Sequence, residues 1–274
     1  MDYKWERLNL MSGFANILTS IKQTVETPAT VTDADAQAFV NAAVISNTTQ
    51  ANAIDNLVIG LKADSLWTVF SAIYPIVGGS ASKHKWNLKN PLDTDGANRL
   101  IFSGTWTHSA TGMQPSSATA NTFKLVPAQN NASFFVWYTA GSGDAGYCGA
   151  SSPYFIIRSG FAAYDRTIND SGWVNDASGA SPNWAATSLP NTGLTGISRS
   201  ASGTADRIIN NTYESCARPS TGLSTNTIYL GGVNSVALTT NHTIGFACIG
   251  NGVNSTQAGN LYTRLSTYQS SLSR

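Results

Sequence analysis

The sequence has few charged residues: Lys, Arg, Asp and Glu together make up 11% of its 274 positions. A typical soluble domain carries about 25% charged residues. The 16 basic and 15 acidic residues nearly cancel, which leaves a net charge of +1, and the basic residues form no cluster. Because phosphate binding needs clustered Lys and Arg, we expect no nucleic-acid partner. Solubility must come from the Ser, Thr, Asn and Gln residues that fill the second half.

Glutamate is especially scarce, and the whole chain contains only Glu6, Glu26 and Glu214. Glycosidases use two carboxylates that flank the bond to be broken. Glu214 has no acidic partner at strand spacing, and the aspartates at 165, 170 and 176 lie in loop-like sequence. A Gly-x-Ser-x-Gly nucleophile motif is also absent. We therefore predict a protein that is not an enzyme.

Cysteine and histidine are equally rare, with three of each. The chain has no CxxC pair and no two histidines at i, i+2 or i, i+4, so neither a zinc site nor a redox motif is predicted. One disulfide among Cys148, Cys216 and Cys248 stays open, but buried free thiols fit these isolated residues better. We expect each of the three histidines to be a surface or loop residue: His84, His108 and His242.

Long apolar runs are absent as well, and no stretch reaches the roughly 20 residues that a membrane-spanning helix needs. The charged N-terminus also lacks the apolar core of a signal peptide. We therefore predict no membrane insertion. Apolar residues instead recur at helical spacing through the first part of the chain. This spacing predicts helices over residues 4–26, 33–44 and 50–63, and a short one from Leu66 to Tyr74.

The first predicted helix has two adjacent apolar stripes. One stripe contains Leu8, Met11, Ala15, Leu18 and Val25, and the other contains Leu10, Phe14, Ile17 and Ile21. This wide face fits an attachment or oligomerisation helix, but it fits equally a helix that lies on its own domain. In the first case a homo-oligomer such as a trimer would form through Leu8, Met11, Phe14, Leu18 and Ile21.

After Gly79 the apolar period changes from helical spacing to two residues. Leu100, Phe102 and Trp106 alternate with polar residues, as in a strand with one wet face. Similar segments lie at 133–139, 154–158, 206–209, 227–230 and 242–249. Many short strands without helices between them predict an antiparallel sandwich. A final helix begins after Asn254, with Ala258, Leu261 and Leu265 at helical spacing.

Three groups of segments resemble a family of bacteriophage virion proteins, the tail or head-fibre type with a concanavalin A-like (LamG-type) sandwich. The segments are 33–39 (DADAQAF) with 66–75 and Gly78-Gly79; 84–91 (HKWNLKNP) with 93–95 and 99–109; and 249–253 before the final helix. Family members tend to have Asp at the position of Asn251, and residues 110–225 match only loosely. The resemblance implies a virion location and a jelly-roll-like, mainly β fold, but no defined ligand.

Two candidate sites are suggested by residue type. Lectin-like sandwiches often bind calcium through loop oxygens, and such a run occurs at Asp93, Asp95 and Asn98, although turn formation explains the same residues. Sugars stack on exposed rings. Four aromatic residues in polar stretches could bind them or pack under loops: Tyr164, Trp173, Trp184 and Tyr213. Trp67, Trp86, Trp106 and Trp137 lie in periodic segments and are predicted to be core residues.

These observations predict three parts: an attachment helix (1–28), a small helical subdomain that packs on the sandwich (29–79), and the sandwich itself with its C-terminal helix (80–274). We predict a phage particle-surface protein, a fibre, decoration or adaptor subunit whose partners are other virion proteins. The alternatives are a lectin-like receptor-binding protein for host glycans and, less favoured, a polysaccharide depolymerase. No cofactor is expected beyond the calcium considered above.

Overall fold

The computed structural model of the chain describes residues 26–274 apart from 122–124, 126–127, 142–145, 151–153, 160–171, 177–190, 224, 234–235 and 238–241. The predicted helix over 4–26 therefore lies outside the described residues except for Glu26. So do its five proposed oligomerisation residues, and the assignment of that helix stays a prediction.

Two helices precede the sheet: α1 spans Ala34–Ala42 and α2 spans Thr48–Ala63. The carboxylate of Asp33 accepts hydrogen bonds from the backbone N–H groups of Asp35 and Ala36 at the start of α1. Asn47 caps α2 in the same way through the N–H of Gln50. Such caps satisfy N–H groups that no helical carbonyl can reach. Both predicted helices are confirmed.

The short helix predicted from Leu66 to Tyr74 is wrong, because β1 (Phe70–Tyr74) is a strand. It pairs antiparallel with the last strand, β14 (Thr243–Gly250). Phe70, Ala72, Ile73 and Tyr74 are all buried. A strand buried on both faces carries a continuous apolar run, which periodicity cannot distinguish from a buried helix. A short helix, α3 (Ala81–His84), and a 3-10 turn (Asp95–Ala97) come next in the chain.

The other strands are short and succeed one another without long helices. They are β2 (Ile101–Ser109), β3 (Gly112–Asn121), β4 (Ala132–Ala140), β5 (Gly146–Ala150), β6 (Tyr154–Ser159), β7 (Gly172–Asp176), β8 (Gly193–Arg199), β9 (Thr204–Ile209), β10 (Thr212–Ala217), β11 (Tyr229–Leu230), β12 (Gly232–Val233) and β13 (Val236–Ala237). The C-terminal helix α4 spans Ser255–Ser271.

These strands form the two layers of a sandwich. Strands β10, β9, β8, β4, β14 and β1 pair in that order in the first layer. Strands β2, β3, β11, β5, β6 and β7 form the second, and Ile244 of β14 pairs with Met113 of β3 where the layers meet. All these pairings are antiparallel. The mainly β, antiparallel sandwich predicted from the sequence is confirmed.

The central strands β4 and β14 are buried on both faces. Phe135 and Phe246 point into a core shared with the helices. Phe134 and Ile249 point into the core between the two sheet layers. Successive side chains of a strand point to opposite faces, so this sheet is the middle of three layers: helices, first sheet and second sheet. The prediction that the helices pack on the sandwich is confirmed.

The helix α4 begins with a capping box, in which Asn254 and Gln257 each bond the other's backbone N–H. It lies beside α2, where Nε of Arg264 is 2.7 Å from a carboxylate oxygen of Asp64. β1 falls within the predicted helical subdomain (29–79), but it pairs with β14 of the sheet. The division into three parts stays a prediction. Within the described ranges, no helix has the length and apolarity needed to cross a membrane.

Candidate binding face on the edge strand

The predicted calcium ligands lie around the 3-10 turn: Asp93, Asp95 and Asn98. Cationic side chains contact both carboxylates. Nζ of Lys85 is 2.6 Å from Asp93, and Nη2 of Arg99 is 2.9 Å from Asp95. Asn98 has a left-handed backbone with φ 57°, which suits the turn interpretation. Among the described residues, no group of three or more His, Cys, Asp or Glu side chains could hold a metal ion.

Only one of the four predicted sugar-binding aromatics has a described side chain. Tyr213, on β10, is half-buried against the helical core, and its hydroxyl donates a hydrogen bond to Asp206. Burial and the neighbouring Asp206 raise the pKa of Tyr213. Its ring therefore has a packing role. Trp173 lies on β7, but its side chain, like Tyr164 and Trp184, is outside the described part of the chain, and sugar binding by these three stays a prediction.

The prediction of a surface or loop position is wrong for His84, which ends α3 and is 1% exposed. His242 precedes β14, outside any helix or strand, and is also 1% exposed. Nδ1 of His84 lies 2.9 Å from Nδ1 of His108 on β2. Nε2 of His84 accepts a hydrogen bond from the N–H of Gly79. In the neutral ring the proton must therefore be on Nδ1 of His84, which donates it to His108. The two residues are 24 positions apart, so no sequence spacing indicates the pair.

Burial, together with the neighbouring His108 and Arg274, lowers the pKa of His84 to about 3. Burial also lowers the pKa of His108. The pair is therefore uncharged at neutral pH and presents no positive charge to a ligand.

The neighbouring part of β2 carries a row of three rings: Phe102, Trp106 and His108. In the described part of the chain β2 pairs only with β3, so it is an edge strand. The Trp106 and His108 rings stack at 6.2 Å with an angle of 28°, and Phe102 meets Trp106 edge-on at 5.5 Å. All three rings are half-buried, whereas the intervening Thr107 and the nearby Thr105 are exposed.

Two glycines help to position Trp106. Gly104 has φ 78°, and the β2–β3 register shifts after it, because β3 carries one extra residue there. A bulge of this kind increases the local twist. A Cβ at Gly231 would lie 3.1 Å from the Trp106 ring and 2.9 Å from Pro115, so only glycine lets these rings approach. The indole N–H of Trp106 donates to the carbonyl of Ser103. The ring surface is the part left for a ligand.

Trp106 corrects the prediction that tryptophans in periodic segments are core residues. It packs on the inter-sheet core but stays half-buried, as do Trp67, Trp86 and Trp137. The periodicity identifies which face of a strand is apolar, but it does not show that the strand lies at an edge. The polar Ser and Thr residues on both sides of Trp106 were the only feature of the sequence that could have indicated a solvent-exposed strand here.

Two carboxylates lie at neighbouring positions of the β9–β10 hairpin. Asp206 is opposite Ser215, and the next pair joins Arg207 to Glu214. The two acids therefore point to opposite faces of the sheet. Asp206 is 2% exposed and burial raises its pKa, whereas Glu214 forms an ion pair with Arg207. These two carboxylates do not face each other across a cleft.

The three cysteines are free, as predicted. Cys148 and Cys248 are buried, and Cys216 is half-buried. Burial raises the pKa of Cys148 to about 11, so its thiol is protonated and a poor nucleophile at neutral pH.

Comparisons with known proteins give a fold likeness only. No family model and no curated protein matches the chain. A GH54 α-L-arabinofuranosidase has a TM-score of 0.48 and 8% identity over 77% of this chain and 65% of that one. Domain 4 of AbnA, a GH43 extracellular arabinanase from Geobacillus stearothermophilus, in complex with arabinotriose, has a TM-score of 0.44 and 14% identity over 70% and 98%. The VIP36 exoplasmic/lumenal domain, in a Ca2+/Man2-bound form, has a TM-score of 0.39 and 13% identity over 67% of this chain and 89% of that one.

The prediction that the chain is not an enzyme is overturned by these comparisons. The similar solved structures are mostly from glycoside hydrolases. At these identities and TM-scores the likeness transfers no reaction, substrate or ligand to this chain.

Proposed function

We propose that this chain is a glycan-binding attachment subunit on the surface of a bacteriophage particle. The observation that carries the proposal is the half-buried row of Phe102, Trp106 and His108 on the edge strand β2. The C–H faces of a sugar ring stack on aromatic rings, and neighbouring hydroxyl groups bind its hydroxyls. Thr105 and Thr107 alternate with these rings and therefore point to the opposite face of β2, so the proposed contact is carried by the rings.

The particle location is supported by the resemblance of segments 33–39, 66–75, 84–109 and 249–253 to phage virion proteins. The same resemblance favours a second candidate, a fibre, decoration or adaptor subunit that contacts only other virion proteins. Electron microscopy of intact particles labelled with an antibody against this chain separates the two. A label at the distal tail tip supports attachment, and a label on the capsid supports decoration.

Glycan-array binding tests the aromatic row. We expect the full chain to bind. The affinity of the variant Trp106→Leu should fall by about tenfold or more, because the variant keeps apolar packing but loses the stacking ring. Trp86→Leu is the matched control, because Trp86 packs on the other core, beside Lys85. Its affinity should equal that of the unmodified chain. Melting temperatures of both variants show whether the fold is kept.

Three outcomes would overturn the proposed site. The first is an array without any bound glycan, and the second is undiminished binding by Trp106→Leu. The third is loss of binding on Trp173→Ala or Trp184→Ala but not on Trp106→Leu, which would move the site to the aromatics predicted from the sequence. New reducing ends in the bound glycan would show that the chain cleaves it.

A further inference from the structure

An apolar groove lies between α2 and α4, on the outer side of the helical layer. It has a volume of about 330 Å³. Its α2 side is mostly apolar, with Ala53, Leu57, Ile59, Gly60 and Ala63 beside Asn56, and its α4 side consists of Tyr268 with Arg264, Thr267 and Ser271. The side chain of Ile59 is 44% exposed. Small residues on α2 make the surface concave, and a Cβ at Gly60 would lie 2.7 Å from the Arg264 side chain. The groove therefore offers an apolar surface that the described residues leave uncovered.

The described chain begins close to one end of this groove. Nζ of Lys83 lies 2.6 Å from the Glu26 carboxylate, and the Ser46 hydroxyl donates to the same carboxylate at 3.4 Å. Ser46 is next to Asn47, the N-cap of α2. From Asn47 to Ala53, where the groove begins, a helix rises about 9 Å. Residues 22–25 can span about 13 Å when extended, so the segment before Glu26 reaches the groove.

The length of this segment matches the groove. The stripe of Leu10, Phe14, Ile17 and Ile21 extends over 12 residues, a rise of about 16 Å in a helix. The groove runs from Ala53 to Ala63, about 15 Å along α2. Apolar residues at this spacing lie on one face of a helix, which is the form that binds in an apolar groove.

We propose that residues 8–21 of the same chain bind as a helix in the groove between α2 and α4. The stripe of Leu10, Phe14, Ile17 and Ile21 faces the groove, and Ile21 lies at the Ala53 end. Phe14 is seven positions from Ile21 and Ile59 is six positions from Ala53, so Phe14 of the facing stripe lies beside Ile59. The segment thereby covers the exposed side chain of Ile59.

Cysteine cross-linking tests this arrangement in the full chain. A Cys216→Ser background leaves only the buried thiols of Cys148 and Cys248. In it, Phe14→Cys with Ile59→Cys should cross-link within one chain about tenfold faster than the control pair, because a bound segment has a high local concentration. The control joins Phe14→Cys to Gly203→Cys on the β8–β9 turn, where an added side chain meets nothing within 4 Å. Mass spectrometry under non-reducing conditions distinguishes links within a chain from links between chains.

Equal rates for the two pairs would overturn the proposal, and so would links between chains, which would place the segment in a second copy. Deletion of residues 1–25 gives an independent test. We expect stronger binding of an apolar dye to the uncovered groove and an unchanged oligomeric state. A fall from an oligomer to a monomer on this deletion would instead support the oligomerisation helix predicted from the sequence and contradict binding in the same chain.

Discussion

At the scale of single residues, the His84–His108 pair links folding to proton binding. The pKa of His84 falls from 6.5 to about 3 in the folded state, so between these values the unfolded chain binds a proton that the folded chain does not. The stability from this group is complete above pH 6.5 and is lost as the pH falls toward 3. The loss is about 1.4 kcal/mol for each pH unit. Protonation would also place a second cation near Arg274.

We therefore expect the free energy of unfolding to fall between pH 7.5 and pH 5, and to fall less in His84→Gln. Glutamine does not titrate, so that variant retains only the contributions of other groups, including the buried His242. Urea denaturation at both pH values measures the difference. The same pH slope for both proteins would show that His84 does not cause the loss.

The limits of sequence analysis at this scale are clear from the charged turn. The sequence correctly brings Asp93 and Asp95 together, since both lie within one turn. It does not show that Lys85 and Arg99 contact them, because those contacts depend on side-chain direction. The His84–His108 contact depends on two separate elements meeting, and no local pattern encodes it.

At the scale of secondary-structure elements, glycine decides how β4 and β8 pack. Gly196 on β8 is paired with Phe135 on β4, and a Cβ at Gly196 would lie 2.0 Å from the Phe135 ring. Phe135 is fully buried, so its ring has no room to move. The aromatic ring takes the space that a side chain at residue 196 would need.

Gly196→Ala should destabilise the chain by about 1–3 kcal/mol, the usual cost of overpacking a core. Gly203→Ala is the control, because nothing lies within 4 Å of the added methyl group. Its effect should stay within about 0.5 kcal/mol. Thermal unfolding of the two variants beside the unmodified chain measures both changes. A Gly196→Ala variant as stable as Gly203→Ala would show that Phe135 can shift.

The elements that the sequence predicts well are those with one wet face or a clear cap. The helices α1, α2 and α4 have polar caps at Asp33, Asn47 and Asn254, and β2 alternates apolar and polar residues. β1 and β8 are buried on both faces, so their side chains show no period of two. β3 was not predicted either. It contains Pro115, a residue that is rare inside strands.

At the scale of the whole molecule, Arg274 joins α4 to both sheet layers. Its guanidinium donates hydrogen bonds to four backbone carbonyls, those of Pro75, Ile76, Ala110 and Gly245. Nε of Arg274 donates to the side chain of Gln269 at 2.7 Å. These carbonyls belong to segments far apart in the chain, so one side chain links the helical layer to the sandwich.

We expect Arg274→Ala to lower the free energy of unfolding by about 2–4 kcal/mol, because it leaves several carbonyls without their donor. Ser270→Ala, an exposed position on the same helix, is the control and should be nearly neutral. Chemical denaturation gives both values. If Arg274→Ala proves as stable as the control, water must replace the lost donors.

The double burial of β4 and β14 has a consequence for dissecting the molecule. A fragment starting at residue 80 would lack β1, α1 and α2, and would expose Phe135, whose ring packs edge-on against Phe70 of β1, whereas Tyr268 of α4 would still cover Phe246. A fragment ending at residue 79 would lose the surface against which its own apolar side chains pack. Fragments produced by cutting the chain between residues 79 and 80 should therefore aggregate on expression. The helices and the sandwich should be kept in one polypeptide for biochemical work.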